Sequence, residues 1–225
     1  MGKRGTKPKG RTKIKWSANF SYAMGLLATD GCLYNDGRHI SLTTKDVEQA
    51  KNFIKCLDLK VKVGLKSSGS AGEKKYFNIQ FGDVIFYKFL ESIGFTKRKS
   101  LTLGKIDIPE QLFFDFLRGC FDGDGCSYSY WDPRWKSSFM FYISFASGSI
   151  KFINWLRREI DNRLKIKSHI GITKTKTAPF YQLKYSKYAA VELVKKMYKG
   201  KNKLCLNRKR LKLNKCLGIM GLKEI

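Results

Sequence analysis

Between Ser17 and Thr29 the chain reads SANFSYAMGLLAT, apolar or small at almost every step and helical in period. Beyond Asp30 the pattern changes to period two. CLYND and RHISLTT read as strands joined by a turn at Asn35, Asp36 and Gly37. Asp46 then sits where it can N-cap a helix whose apolar positions Val47, Ala50, Phe53, Ile54 and Leu57 share one face. In DLKVKVGLKSS, Leu59, Val61, Val63 and Leu65 alternate with Lys60, Lys62 and Lys66. After a GSAGE turn, KKYFNIQFG sets Phe77, Ile79 and Phe81 against Tyr76, Asn78 and Gln80. Asp83 caps a further helix, VIFYKFLESI, which Gly94 stops.

The segment FTKRKSLTLGKID leads to Pro109, and the order then repeats. A helix is predicted over 109–123, strands near 125–131 and 138–146, a helix over 149–163, strands near 165–173 and 179–185, and a helix over 187–198. Each half is thus α-β-β-α-β-β-α. The Asp-Gly-Cys at 30–32 returns 94 residues later at 124–126, and later elements are displaced by 103–104. Duplication on this scale predicts an α+β fold of two repeats about a pseudo-two-fold axis, each with an antiparallel sheet. The chain divides into a basic arm (1–16), a first half (17–95), a linker (96–108), a second half (109–204) and a basic extension (205–225).

The two helices that open the halves end alike, in GLLATDG and GCFDGDG. Gly25 lies five residues before Asp30, and Gly119 five before Asp124; Thr29 and Gly123 follow those glycines by four, on the same face. Small residues at this spacing let two backbones approach closely. If the halves pair through these faces, the two helix C-termini converge and Asp30 and Asp124 stand side by side. Such carboxylates repel, and one is driven protonated unless a cation shares the site. Helix ends add partial negative charge. Hard oxygen ligands at strong negative potential suit Mg²⁺, and metal ions there can activate a water and stabilise the leaving oxygen of a phosphodiester.

Charge changes the picture next. Lys plus Arg number 45 against 18 Asp plus Glu, a formal net charge of +27. An excess this large repels itself unless a polyanion neutralises it, and nucleic acid is the expected partner. An anionic membrane is the competing one, but no basic amphipathic helix stands out and no apolar run nears the ~18 residues that span a bilayer. Seven basic residues and no acid fall within 1–15, which reads as a disordered arm or a phosphate contact. The six cysteines form no CxxC pair, so reduced thiols in an intracellular protein are expected. Cys32 and Cys126 are expected to face the core.

The outward strand positions are rich in groups that reach phosphates and base edges in a major groove. In the first half these are Tyr34, Arg38, Ser41, Thr43, Lys60, Lys62, Lys66, Tyr76, Asn78 and Gln80. In the second they are Ser127, Ser129, Arg134, Lys136, Lys165, Lys167, His169, Lys174, Gln182 and Lys184. The aromatic run YSYWDPRW at 128–135 reads either as a DNA-stacking surface or as a packed hairpin tip. His39 and His169, the only histidines, do not occupy equivalent places, which argues against a His-based metal site.

GLLATDG and GCFDGDG resemble the second half of the LAGLIDADG motif of homing endonucleases, and the two-copy layout is similar to that family's single-chain, pseudo-symmetric members. The likeness covers roughly 17–204. The first motif departs in having Ala28 where the second has the acidic Asp122. The resemblance implies a monomeric endonuclease whose two sheets form a saddle on a long asymmetric duplex, cutting both strands across the minor groove. It places two or three divalent ions, Mg²⁺ first, on Asp30 and Asp124 with the adjoining Thr29 and Gly123. It also implies basic residues after the last helix of each repeat. KRKSLTL (97–103) and KNKLCLN (201–207) match, pairing Lys97 with Lys201 as catalytic candidates and Lys99 with Lys203 behind them. Thr44 and Ser147, ending the second strand of each half, are implied holders of the reacting water. A non-catalytic DNA-binding regulator on the same scaffold and an intron RNA maturase are the alternatives.

Overall fold

The computed structural model describes residues 10–67, 75–175, 178–200 and 202–225. The first half runs α1 (Ala18–Asp30), β1 (Gly31–Leu33), β2 (His39–Thr44), α2 (Val47–Leu57), β3 (Gly64–Ser67), β4 (Lys75–Gly82) and α3 (Val84–Ser92). A short α4 (Lys99–Thr102) and a 3-10 turn (Glu110–Leu112) follow. The second half repeats the order as α5 (Phe113–Asp124), β5 (Cys126–Trp131), β6 (Phe139–Ser147), α6 (Ile150–Leu164), β7 (His169–Thr173), β8 (Phe180–Ser186) and α7 (Lys187–Met197), and α8 (Asn207–Ile219) closes the chain. The strand orders, β1-β2-β4-β3 and β5-β6-β8-β7, are the same in both halves, and all pairings are antiparallel. The duplicated α+β architecture read from the sequence is the one observed.

Local chemistry sets most boundaries. Ser17 caps α1 by accepting from the Phe20 N–H at 3.1 Å. Asp83 caps α3 through Phe86 N (2.9 Å) and also holds the Arg11 and Thr12 amides at 2.7 and 2.8 Å, so the end of the basic arm is laid against α3. Gly37, at φ 69°, makes the turn between β1 and β2. Two strands start later than the alternation suggested. Lys60 and Lys62 precede β3, and Lys165 and Lys167 precede β7; all four are exposed beside inward-facing apolar neighbours, but outside the ladders. Asp58 and Lys165 end α2 and α6 in the left-handed conformation, which delays pairing. The GSAGE turn lies outside the described residues.

The inner faces of both sheets pack on α1 and α5, which lie together at the centre. From Phe20 to Ala28 every residue of α1 is buried, as is every residue of α5 from Asp115 to Asp122. A helix buried on all sides is one enclosed on all sides, and here each lies between its own half's sheet and the central helix of the other half.

Candidate active site

Gly25 and Gly119 set the central crossing. A Cβ on Gly25 would lie 2.7 Å from Cys120 N and 2.8 Å from Gly119 Cα, and one on Gly119 would lie 2.9 Å from Gly25 Cα. Nothing larger than hydrogen fits on either side. One turn further on, a Cβ at Gly123 would meet the Thr29 side chain and come within 3.0 Å of Asp30 Oδ2. The two helix ends therefore converge at the residues the sequence singled out.

Asp30 is half-buried and Asp124 exposed. Burial, reinforced by the negative charge of Asp124, pushes the Asp30 carboxyl up to about 6 from the ordinary 3.8. A hydrogen bond from Gln49 Nε2 to Asp30 Oδ2 at 2.5 Å opposes that shift, as do Lys99 and Lys209. Gln49 is a site residue that sequence reasoning missed; it lies in the first turn of α2, buried. Its counterpart 103 residues on is Phe152, so only one of the two acids has this support.

The lysines require a correction. Lys99 Nζ donates to the carbonyls of Ala28 (3.1 Å) and Thr29, at the C-terminus of α1. The group at the same place on α5 is not Lys203 but Lys209. Its Nζ reaches the carbonyls of Phe121, Asp122, Gly123 and Gly125 at 2.6, 2.8, 2.9 and 2.7 Å. Lys203 instead pairs with Asp115 at 2.8 Å, nine residues and so about 13 Å back along the helix from Asp124. The internal match that reveals this is KRKSL at 97–101 with NRKRL at 207–211, an offset of 110. Desolvation lowers the pKa of both Lys99 and Lys209, with the nearby carboxylates opposing it. Lys97 is exposed just before α4, and Lys201 lies outside the described residues.

Asp122 turns inward. Its Oδ2 accepts from Tyr22 OH and Leu206 N, both at 2.7 Å, so it ties α5 to α1 and to the start of α8. Thr44 Oγ1 accepts from Asp46 N, and Ser147 Oγ from Ser149 N, each at 3.1 Å. The two hydroxyls occupy equivalent places and hold the starts of α2 and α6. Residues 205–225 belong to the body: Arg208 holds Asp46 at 2.7 and 2.9 Å, and α8 lies behind β5, with Cys216 Sγ 3.5 Å from Ser129 Oγ.

The open sheet faces differ in part from expectation. In the first sheet Thr43, Tyr76, Asn78, Gln80 and Lys66 share the open side, with Thr43 donating to Asn78 Oδ1 at 3.0 Å. Tyr34 and exposed Arg38 flank the β1–β2 turn. Ser41 lies on that side but is only 4% exposed, which removes it as a contact. In the second sheet His169, Lys184 and Gln182 share the open side. Ser127 and Ser129 do not: they sit opposite Ile143 and Phe141, facing α8 and the core. Tyr128, Tyr130 and Tyr142 occupy the open side instead. Cys32 and Cys126 are exposed rather than in the core. Exposed Lys136 and Lys174 lie in connections, and the Arg134 guanidinium is engaged by Asp132 at 3.0 and 3.1 Å.

Among the described residues no three or more His, Cys, Asp or Glu side chains group as metal ligands. The carbonyls of Thr29 and Gly123, expected as metal ligands, accept instead from the ammonium groups of Lys99 and Lys209, which leaves the two carboxylates as an all-oxygen donor set, incomplete without water or substrate. That composition fits Mg²⁺ and does not fit a closed zinc site.

No protein-family model matches the chain, and no curated protein does either. Solved structures do. The I-LtrWI LAGLIDADG homing endonuclease bound to target DNA superposes with TM-score 0.58 at 13% identity, over 90% of this chain and 91% of that one. I-DmoI in complex with DNA and Ca gives 0.56 at 15%, over 87% and 97%. The N-terminal LAGLIDADG domain of DUF199/WhiA gives 0.53 at 16%, over 83% and 85%; of full-length WhiA from Thermatoga maritima the match spans 62%. Identities this low speak to architecture alone. The chain has the LAGLIDADG fold.

Proposed function

We propose that the protein is a site-specific, divalent-metal-dependent endonuclease that cuts both strands of duplex DNA. The observation that carries this is the meeting of Asp30 and Asp124, one from each half, close enough for one charge to raise the other's pKa. An isolated pair of this kind costs stability, and the fold keeps it at the crossing of its two central helices. The remaining surface is strongly basic, so the acids form a local exception facing a polyanion.

Each residue has a definable task. Gln49 orients Asp30 and favours its ionised form. Lys99 has two carbonyl acceptors for three N–H groups, which leaves one for a phosphate oxygen or a water. Lys209 has four acceptors for three, so it neutralises the end of α5 and positions Asp124 without touching substrate. Lys97 is a phosphate anchor beside Lys99. Divalent ions held by Asp30 and Asp124 would supply Lewis acidity to the attacking and leaving oxygens. Because one chain provides both acids, it acts as a monomer on an asymmetric target, each open sheet lying along one half-site. I-LtrWI, bound to its target DNA, and I-DmoI, with DNA and Ca, support this reading.

The test is cleavage of a randomised duplex library with Mg²⁺, repeated with Asp30→Asn and Asp124→Asn. Cutting of a discrete sequence set, lost in either variant, is expected. Tight, selective duplex binding without cutting would refute the endonuclease and establish a DNA-binding regulator; the neighbours include WhiA, whose domain carries no endonuclease name. Preference for structured intron RNA over duplex would establish a maturase.

A further inference from the structure

The two open sheet faces are not chemically alike. At the centre of the first, β2 and β4 present Thr43, Asn78 and Gln80, groups that donate and accept hydrogen bonds. At the matching centre of the second stand three tyrosines. Tyr128 and Tyr142 are direct cross-strand partners, with ring centroids 4.6 Å apart and planes within 7°. Tyr130 stacks on Tyr142 at 6.1 Å and 11°. Met140, the cross-strand partner of Tyr130, extends the same face. Tyr130 is 44% exposed. By the 94-residue offset the counterpart of Tyr128 is Tyr34, whose ring neighbour is His39 at 6.4 Å, edge-on.

We propose that the tyrosine slab Tyr128–Tyr142–Tyr130 makes the second half-site thymine-dependent, by burying the thymine C5-methyl group. The proposal rests on the reading above that each open sheet lies along duplex DNA. The methyl is the one apolar group on a major-groove base edge. Parallel aromatic rings offer carbon surface and one hydroxyl each, so they favour that methyl. A G·C pair carries carbonyl and amino groups there as an A·T pair does, but no methyl, so it offers the rings nothing apolar to cover. The Tyr142 hydroxyl, hydrogen-bonded to Tyr130 and partly desolvated, is pushed up to about 12, so it meets the phosphate-rich groove uncharged. Placement follows from the chain. β5 begins at Cys126, directly after the end of α5 at Asp124, so Tyr128 is the slab residue nearest the cut. Tyr130 lies two residues further out, about 7 Å along the strand or roughly two base pairs.

The experiment uses the target recovered from the duplex library and the Asp30→Asn, Asp124→Asn protein, so that binding is read without cutting. The half-site under the second sheet is identified as the one whose base preference relaxes in a Tyr142→Ser variant. Each thymine is then replaced by deoxyuridine, which removes only the methyl, one half-site at a time. Deoxyuridine near the cut in that half-site is expected to weaken binding about fourfold per methyl, and in the other half-site far less. Tyr142→Ser should abolish the difference, and Tyr142→Phe, which keeps the ring, should retain it. Equal affinity for thymine and deoxyuridine in both half-sites, or a second half-site without thymine near the cut, would overturn the proposal and leave the endonuclease standing. Failure of the unsubstituted protein to bind any duplex selectively would instead overturn the reading beneath it.

Discussion

Replacing Lys209 by Met tests the assignment of the second-half lysine. The thioether keeps the stem packed over Phe121, whose ring centroid is 5.3 Å from Nζ, and removes only the ammonium. Four carbonyls at 2.6–2.9 Å then lose their donor at a half-buried helix end. Hydrogen bonds from a charged donor contribute about 1.5–3 kcal/mol each. The desolvation that lowers the lysine's pKa offsets part of that sum, so a net loss of about 2–4 kcal/mol is expected. For a chain of this length each kcal/mol moves the melting temperature by about 2–4 °C, which predicts a fall of roughly 5–15 °C by differential scanning calorimetry. Single-turnover cleavage, measured well below the new transition, should drop at least tenfold, because the carbonyl ends beside Asp124 lose their fixed geometry. The companion variant Lys203→Met should destabilise through Asp115 and Arg118 while leaving the cleavage rate of the folded fraction nearly unchanged. A Lys209→Met protein that melts within a degree of the parent, or a Lys203→Met protein that folds but cannot cut, would refute the 110-residue register.

Other consequences are as direct. Gly25→Ala or Gly119→Ala puts a methyl within 3 Å of facing backbone, and a loss of at least 1–3 kcal/mol is expected in urea unfolding; a neutral result would contradict the close crossing. Without metal, Asp30 is protonated more readily folded (about 6) than unfolded (3.8), so stability falls as pH rises from about 4 to 6 and is level above. Asp30→Asn should therefore stabilise the EDTA-treated protein at pH 7.5 by on the order of 1–3 kcal/mol, and saturating Mg²⁺ should stabilise the parent but not the variant. Gln49→Leu should slow cleavage about tenfold or more with little change in duplex affinity, and should leave Asp30 harder to ionise, moving the rate profile to higher pH. Equal profiles would dismiss its positioning role.

The parts of this site that were legible in the sequence are those fixed by period and spacing. Glycine five residues before an Asp-Gly, occurring twice, locates the crossing because only hydrogen fits there. The misreadings have physical sources too. The connection from α7 to α8 is longer than that from α3 to α4, so the repeat offset jumps to 110 and a fixed displacement selects Lys203. Ser127 and Ser129 were placed on the wrong face because a strand alternates strictly, and a one-residue error of phase inverts every side chain; the exposure of Cys126 has the same origin. Gln49 carried no local signal. It is an ordinary first-turn residue of α2, and only the packing of that helix beside α1 brings it to Asp30.

Duplication predicts two equivalent half-sites, yet the two acids sit in unlike surroundings. Asp30 is the more enclosed and accepts from Gln49. Asp124 is exposed, has Phe152 where Gln49 would stand, and is the acid whose charge acts most strongly on Lys99, a donor with an N–H to spare, whereas the hydrogens of Lys209 are all committed to backbone. With its carboxyl at about 6, Asp30 is ionised at neutral pH, and the charge that burial makes costly there is left for a cation to balance. The first strand attacked should then be the one whose scissile phosphate engages the Lys99 side, where a free donor is already in place. Supercoiled plasmid bearing the target should pass through a nicked intermediate with one preferred strand open, and Lys99→Met should remove that preference. Simultaneous loss of both strands, or nicking divided evenly between them, would show that the symmetry of the fold extends to its chemistry.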